Sequence, residues 1–188
     1  TSKIMIGYEK ILEQKKIDCC LVVGDVTSTL ACSIVAKKMN VKVAHVEAGI
    51  RSGDLSMPEE INRLVTDSIT DFFFTTSKYA NNNLKKQGVS SKKIFFVGNT
   101  MIDTLIKNQP KFKRPMIWKK ANLSTKNYLI LTLHRPANVD DKSILKSFIL
   151  EIIGNSNGLP IIFPMHPRTR KQFSDLTIQN KNLFITDP

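Results

Sequence analysis

The run AHVEAGIRSGDLSMPEEINR, residues 44–63, contains the clearest structural pattern in this sequence. It begins at the end of an apolar segment, 41–46, which is typical of a buried strand in a parallel sheet. A polar stretch, 49–56, then leads to Pro58, and proline is well suited to the first position of a helix. In open α/β sheets, ligands bind where loops leave the carboxyl ends of the strands. The run therefore predicts a parallel α/β fold and a site in this loop.

The charged residues of this run are suited to proton chemistry. Glu47 follows the predicted strand and Glu59 begins the predicted helix, while Arg51 and Arg63 lie between and after them. Carboxylates can transfer protons and arginines can bind an anionic substrate. The alternative is that Glu47 caps a turn and that Glu59, with Glu60, only favours the first helical turn through the helix dipole.

The strand–helix alternation extends over the first half of the chain. A strand at 17–23 ends at Gly24-Asp25, and a helix at 30–39 follows, with Thr27, Ser28 or Thr29 as its expected cap. The strand–helix–strand spacing predicts right-handed parallel crossovers. The helix from Pro58 is expected to turn apolar residues towards the sheet. These residues are Ile61, Leu64, Val65 and Ile69. Further strands are predicted at 71–75 and 93–97, and further helices at 4–14, 76–86 and 101–106.

The repeat is interrupted and then resumes. Residues 108–127 contain two prolines, a basic cluster and Trp118, and we interpret them as a linker. Strands are predicted after it at 128–133, 159–164 and 183–186, with a helix at 142–153. The predicted organisation is an N-terminal Rossmann-like domain, 1–107, and the start of a C-terminal nucleotide-binding Rossmann-like domain, 128–188. Both doubly wound parallel-sheet units are expected to be truncated, because the pattern begins with a helix and stops inside a βα unit.

Composition restricts the class of protein. Hydrophobic residues make up 41% and charged residues 23%, as in ordinary soluble globular proteins. There is no apolar run of the roughly 20 residues that a membrane helix needs and no secretory pattern. The cysteines, at 19, 20 and 32, fit neither a disulfide framework nor a metal site, so we expect core packing and a cytoplasmic location.

A formal net charge of +12 requires an anionic partner or a well-solvated surface. The lysines are scattered and are not interleaved with aromatic residues, which favours a solvated surface over a nucleic-acid patch. We therefore expect neither a nucleic-acid nor a membrane partner. No HxH or HxxxH pair occurs, so a metal ion is not expected.

The predicted strand ends carry different chemistry in the two halves. Asp25, Glu47 and Glu59 are carboxylates of the first half, whereas His134-Arg135 and His166 end strands of the second half. A cleft between two such units would place acids on one wall and cations on the other. Each histidine has a simpler alternative, a structural role in its own unit.

The sequence resembles the UDP-N-acetylglucosamine 2-epimerase family from about residue 20 to the end. The motifs that carry the resemblance are GDVTSTLA, AHVEAGIRSGDLSMPEEINR, VTDSITDFFFTTS, VGNTMID, LTLHRPANVDD and MHPRTR. The resemblance implies a GT-B fold and a homodimer in the full-length protein. It also implies interconversion of UDP-GlcNAc and UDP-ManNAc without a cofactor, for the synthesis of cell-surface polysaccharide precursors. In the family, the C2 proton is removed as UDP leaves C1, and UDP then re-adds to the resulting glycal.

The resemblance also implies residue roles. Asp25, Glu47 and Glu59 match the catalytic carboxylates, with the base left open among them, and His134 is expected to act with them. The expected substrate-binding residues are Arg51, Arg63, Asn99, Arg135 and His166.

Some features depart from the family pattern. Ala137 replaces a common glutamate, and neither a GTRPE-like start nor an SGG…EE segment is present. We therefore expect weak UDP binding and little turnover from the 188 residues alone. Three other functions stay open: a hydrolysing 2-epimerase, a glycosyltransferase of the same fold, and a basic nucleic-acid-binding module.

Overall fold

The computed structural model describes all 188 residues, and the chain divides into two compact units, Thr1–Lys111 and Phe112–Pro188. The boundary falls inside the segment predicted to be a linker. Unit 1 alternates helices and strands, as the sequence predicts. Its elements are α1 (Ser2–Gln14), β1 (Cys19–Val23), α2 (Thr27–Lys38), β2 (Lys42–Val46), α3 (Pro58–Ile69), β3 (Phe72–Thr75), α4 (Lys78–Lys86), β4 (Ile94–Phe96) and α5 (Thr100–Asn108).

The four strands of unit 1 form one parallel sheet in the order β1-β2-β3-β4. Val23 is in register with Val46, which is in register with Phe74. The carboxyl ends of the first three strands are therefore level, and the loops that leave them lie along one edge of the sheet. The predicted parallel α/β fold is confirmed.

The apolar core of unit 1 lies on one face of this sheet, because Cys20 is in register with Val43 and His45, two residues further on, is in register with Phe73. One cluster joins α1 and α2 to the first two strands and includes Cys20 and Val43. A smaller cluster, Ala48, Phe73 and Leu84, joins β3 to α4. Burial raises the pKa of the Cys20 thiol, as expected for a packing residue rather than a nucleophile.

Helix α3 is rotated relative to the orientation that its apolar residues predict. Of the four residues expected to face the sheet, Ile61 is 41% exposed, and Leu64, Val65 and Ile69 are only partly buried. The buried residues are instead Glu60, Asn62, Thr66 and Asp67. Burying polar groups is costly unless they are hydrogen-bonded. The turn after β1, strand β2 and the loop that leads into α3 supply partners for Asn62, Asp67 and Glu60, as described below. The prediction was therefore wrong for Ile61, because polar contacts as well as apolar ones fix the rotation of this helix.

A second prediction for unit 1 was also wrong. No side-chain cap begins α2: its N-cap is Val26, and the hydroxyl of Thr29 donates to the Val23 carbonyl. By contrast, α4 has a side-chain cap at Ser77, whose hydroxyl accepts a hydrogen bond from the Ala80 amide.

Unit 2 is a smaller parallel sheet, β5-β6-β7, with helices packed on it. Its elements are α6 (Ile117–Lys120), β5 (Leu129–Ile130), α7 (Pro136–Val139), α8 (Lys142–Asn155), β6 (Ile161–Pro164), α9 (Pro167–Phe173) and β7 (Leu183–Thr186). Strand β5 is shorter than the predicted 128–133 because it pairs only with β6, for two residues. Part of the predicted linker belongs to the core of this unit, since Trp118 packs beside Ala121 and Leu123. No helix of the chain is long and apolar enough to span a bilayer.

Candidate functional site

The turn after β1 is joined to α3 by an ion pair. Arg63 of α3 donates through Nη2 to the Asp25 carboxylate. The neighbouring Asn62 side chain donates to the Asp25 carbonyl at 2.7 Å. Two predicted site residues, Asp25 and Arg63, are therefore in direct contact at the carboxyl edge of the sheet.

Glu47 lies beside this turn with a free carboxylate. Its Oε2 is 3.6 Å from the position that a Cβ on Gly24 would occupy, so the carboxylate faces the Gly24-Asp25 turn. The side chain is half-buried and makes no hydrogen bond or ion pair with the protein. It caps no turn, which removes the structural alternative for this residue. A half-buried carboxylate without a protein partner is available to bind a ligand or transfer a proton.

The backbone of Glu47 is strained. Its φ is +72°, in the left-handed region that residues other than glycine rarely adopt. Such a conformation costs about 1–3 kcal/mol and persists where surrounding contacts enforce it. One of these contacts is the Glu47 amide, which donates to the Phe74 carbonyl at 3.0 Å.

Glu60 holds the loop between β2 and α3. Its carboxylate accepts hydrogen bonds from the Ser52 amide (2.9 Å), the Gly53 amide (3.2 Å) and Arg63 Nη1 (3.2 Å). Burial alone would raise the pKa of Glu60, but these hydrogen bonds outweigh burial and lower it. Glu59, which is one of the predicted catalytic residues, is exposed and makes no such contact. The two adjacent glutamates therefore differ: Glu60 organises the loop and Glu59 is free.

Asp67, on α3, is a site residue that the sequence analysis did not identify. His45 is fully buried, its Nδ1 lies 2.7 Å from Asp67 Oδ1, and its Nε2 donates to the Gly24 carbonyl at 2.9 Å. Asp67 Oδ2 accepts from the Gly49 amide at 3.0 Å. The spacing from Glu60, seven residues, places both carboxylates on one helical face, and this was the available indication in the sequence.

Two predicted binding residues have other contacts. Arg51 is turned into the protein, where its Nη2 lies 2.7 Å from Asp67 Oδ2 and 2.9 Å from Gln87 Oε1. Asn99 begins α5, and its Oδ1 accepts from the Met101 amide at 2.9 Å. Strand β4 lies three strands from β1, about 14 Å at the usual spacing, so Asn99 is not beside Asp25. The substrate-binding roles of both residues stay predictions.

Unit 2 brings its two predicted histidines together. His134 and His166 follow the neighbouring strands β5 and β6, and their ring centroids are 6.5 Å apart. Both are exposed, as is Arg135. His166 Nδ1 accepts from the Arg168 amide at 3.2 Å. Because Nδ1 is the acceptor in that contact, Nε2 is the donor of the neutral ring.

Arg168, a basic residue near this histidine pair, forms an ion pair with Asp140. Arg168 holds Asp140 through two hydrogen bonds, at 2.7 and 2.5 Å. The Arg168 guanidinium lowers the pKa of the Asp140 carboxyl. Arg135, which is exposed and makes no side-chain hydrogen bond or ion pair, is therefore the available arginine beside the histidines. Nowhere in the chain do three or more His, Cys, Asp or Glu residues cluster closely enough to hold a metal ion.

Comparison with known proteins finds relatives that are 2-epimerases of UDP-sugars. A family model described as UDP-N-acetylglucosamine 2-epimerase matches residues 1–188. The UDP-N-acetylglucosamine 2-epimerase of Methanococcus maripaludis is 41% identical over 186 residues, which cover 96% of this chain and 51% of that protein. The UDP-2,3-diacetamido-2,3-dideoxy-D-glucuronate 2-epimerase of Pseudomonas aeruginosa is 37% identical over 90% of this chain and 48% of that protein.

Solved structures agree with these relatives. The crystal structure of Methanocaldococcus jannaschii UDP-GlcNAc 2-epimerase in complex with UDP-GlcNAc and UDP matches with a TM-score of 0.84 and 41% identity, over 100% of this chain and 54% of that one. The chain thus spans about half the length of the curated relatives it matches. The match over every residue, the shared parallel α/β architecture of GT-B type and the identity above 40% place this chain in the UDP-N-acetylglucosamine 2-epimerase family.

Proposed function

We propose that the protein containing this chain interconverts UDP-GlcNAc and UDP-ManNAc, by elimination and re-addition of UDP through a glycal. The relatives named above support the substrate. The observation that carries the proposal is the free carboxylate of Glu47, held beside the Asp25–Arg63 pair. Removal of a weakly acidic C2 proton needs such a positioned base.

Roles follow from which side chains are free and which are paired. The proposed catalytic residues are Asp25, Glu47, Glu59 and His134. Asp25 is already paired with Arg63, whereas Glu47 and Glu59 have no protein partner. This difference favours one of the two glutamates as the group that exchanges a proton with C2.

The remaining groups are cationic or can donate hydrogen bonds. Departing UDP gains negative charge as the C1–O bond breaks, and preorganised donors stabilise charge where it develops. Arg135 and His166 are exposed donors of unit 2, and Arg63, on α3 of unit 1, is the cation paired with Asp25. Arg51 and Asn99 complete the proposed substrate-binding set. The proposed reaction uses no cofactor.

The test is product analysis with a protein of the relatives' length that contains this chain. UDP-GlcNAc is incubated in D2O, and ¹H and ³¹P NMR follow the sugar and the diphosphate. We expect UDP-ManNAc with deuterium at C2. Glu47→Gln is expected to lower kcat by at least about 10²-fold, the lower range for one general acid–base group. Glu13→Gln, an exposed glutamate of α1, is the matched control and keeps full activity.

Two outcomes would overturn the proposal. One is the absence of C2 deuterium in any product, and the other is a Glu47→Gln variant as active as the control. Release of UDP with free ManNAc would instead identify the hydrolysing 2-epimerase, the second candidate. The similarity to the P. aeruginosa relative also makes its diacetamido uronate sugar a substrate to include in the same assay.

We further propose that the full-length protein is a cytoplasmic homodimer that serves cell-surface polysaccharide synthesis. The isolated 188 residues are proposed to bind UDP weakly and to turn over little substrate, because they span about half the length of the relatives. Calorimetric titration of UDP into the chain and into the longer protein tests this point. Equal affinities would contradict it.

A further inference from the structure

We propose that Asp67 is a positioning residue that holds the Glu47 carboxylate in its working place. The inference rests on the proposed function for its effect on catalysis, but its structural part can be tested separately. Asp67 is 3% exposed and touches no group that is predicted to contact substrate except Arg51. It would therefore act through other residues and not on the substrate.

Asp67 contacts residues on both sides of Glu47, namely His45 and Gly49, and we call this arrangement the clamp. Through Oδ1, Asp67 contacts the ring of His45, two residues before Glu47. Through Oδ2, it accepts from the amide of Gly49, two residues after Glu47. One carboxylate thus holds the side chain two residues before, and the backbone two residues after, a residue with a φ of +72°. Strained conformations of this kind persist only when neighbouring contacts over-determine them.

His45 connects the clamp to the turn that follows β1. Its other ring nitrogen donates to the Gly24 carbonyl at 2.9 Å. Gly24 is the residue that the Glu47 carboxylate faces. The Asp67–His45–Gly24 chain of hydrogen bonds therefore sets the spacing between the Glu47 loop and the turn that carries Asp25.

The charges of the network agree with a positioning role. Both ring nitrogens of His45 face acceptors, a carbonyl and a carboxylate, so one proton must lie between Nδ1 and Asp67 Oδ1 in addition to the proton on Nε2. The Arg51 guanidinium provides a cation at the second carboxylate oxygen. A buried carboxylate that is paired in this way is costly to break, because loss of either partner leaves an unpaired charge.

The first experiment separates positioning from folding. Asp67→Asn keeps the size of the side chain but removes the charge and one acceptor. In the longer protein, we expect kcat to fall by about 10²-fold with KM within threefold, because a shift of about 1 Å at a reacting group has that effect. The pH dependence of kcat is expected to change as well, since the environment of Glu47 changes.

Asp71 offers a matched control. Its partly buried carboxylate also pairs with a cation, Lys37 at 2.9 Å, and with a backbone amide, that of Val43 at 2.8 Å. It lies at the amino end of β3, the opposite edge of the sheet from Glu47. Asp71→Asn is expected to cost a similar free energy of unfolding and to leave kcat within twofold. An equal loss of kcat in both variants would overturn the proposal.

The second experiment does not depend on activity. In the 188-residue chain labelled with ¹⁵N and ¹³C, Asp67→Asn is expected to shift the amide signals of Glu47 and Gly49 and the carboxyl carbon of Glu47. Asp71→Asn is expected to leave these signals in place. If the wild-type protein has no epimerase activity but the shifts appear, the proposed function fails and the clamp stands. If the shifts are absent, the clamp fails whatever the activity.

A milder variant covers the case in which Asp67→Asn does not fold. His45→Gln removes one arm of the clamp and leaves the Gly49 and Arg51 contacts of Asp67 intact. We expect a tenfold loss of kcat and a shift of the Glu47 signals. Unchanged kcat and unchanged signals in a folded His45→Gln variant would overturn the proposal.

Discussion

Gly49 offers the most direct test of how the loop after β2 is packed. Its φ is +78°, and a Cβ there would lie 2.5 Å from the Ala80 carbonyl oxygen and 2.9 Å from Leu84 Cγ. Helix α4 would have to move by about 0.9 Å to restore ordinary contact at 3.4 Å. We expect Gly49→Ala to lower the free energy of unfolding of unit 1 by about 3 kcal/mol, from left-handed strain of about 1 kcal/mol and overpacking of about 2 kcal/mol.

A second glycine separates these two contributions. Gly53 lies in the same loop with a φ of +76°, but a Cβ there would meet nothing within 4 Å. Gly53→Ala should therefore cost only the strain, about 1 kcal/mol. The assay is urea unfolding of the chain, followed through NMR signals of the buried residues Val43 and Phe73. Equal losses in the two variants, within about 0.5 kcal/mol, would refute the idea that close approach of α4 fixes this loop.

Three further outcomes are expected. Asp141→Ala removes the cap of α8, which accepts from two backbone amides, and should cost about 1 kcal/mol in thermal unfolding of unit 2. Burial alone would raise the pKa of Asp71, but its lysine partner and a backbone amide outweigh burial and lower it. Its contribution is therefore present above the ordinary aspartate pKa of about 3.9 and lost as the pH falls below it, so wild type and Asp71→Asn should differ in urea stability at pH 7 and converge at lower pH. In an Ellman titration at pH 7, exposed Cys19 should react quickly, and Cys20 and Cys32 slowly, because burial raises the pKa of both of these thiols.

The alternation of strands and helices could be predicted because it depends on local patterns. The apolar run before His45 and the proline at 58 define a strand end and a helix start without any tertiary information. The neighbouring positions of Asp25 and Glu47 follow from the same rule, since parallel strands end at one edge of a sheet.

Features that depend on tertiary contacts could not be predicted in this way. The exposure of Ile61 on α3 was not predicted because Glu60 and Asp67 obtain hydrogen-bond partners from the loop between β2 and α3, and hydropathy does not record such partners. The left-handed backbone of Glu47 has no local cause either, since glutamate does not favour it. Strand β5 is shorter than its apolar run because pairing with β6 sets its length.

The buried polar face of α3, which contains Glu60, Asn62 and Asp67, determines how the site responds to mutation. Apolar packing tolerates a displacement of about one ångström. Hydrogen bonds, by contrast, weaken steeply when the donor–acceptor distance or angle departs from its optimum. The hydrogen bonds that hold this helix against the site are therefore expected to form together or break together. Mutations along it should consequently act as a unit, with combined effects far from the sum of the single ones.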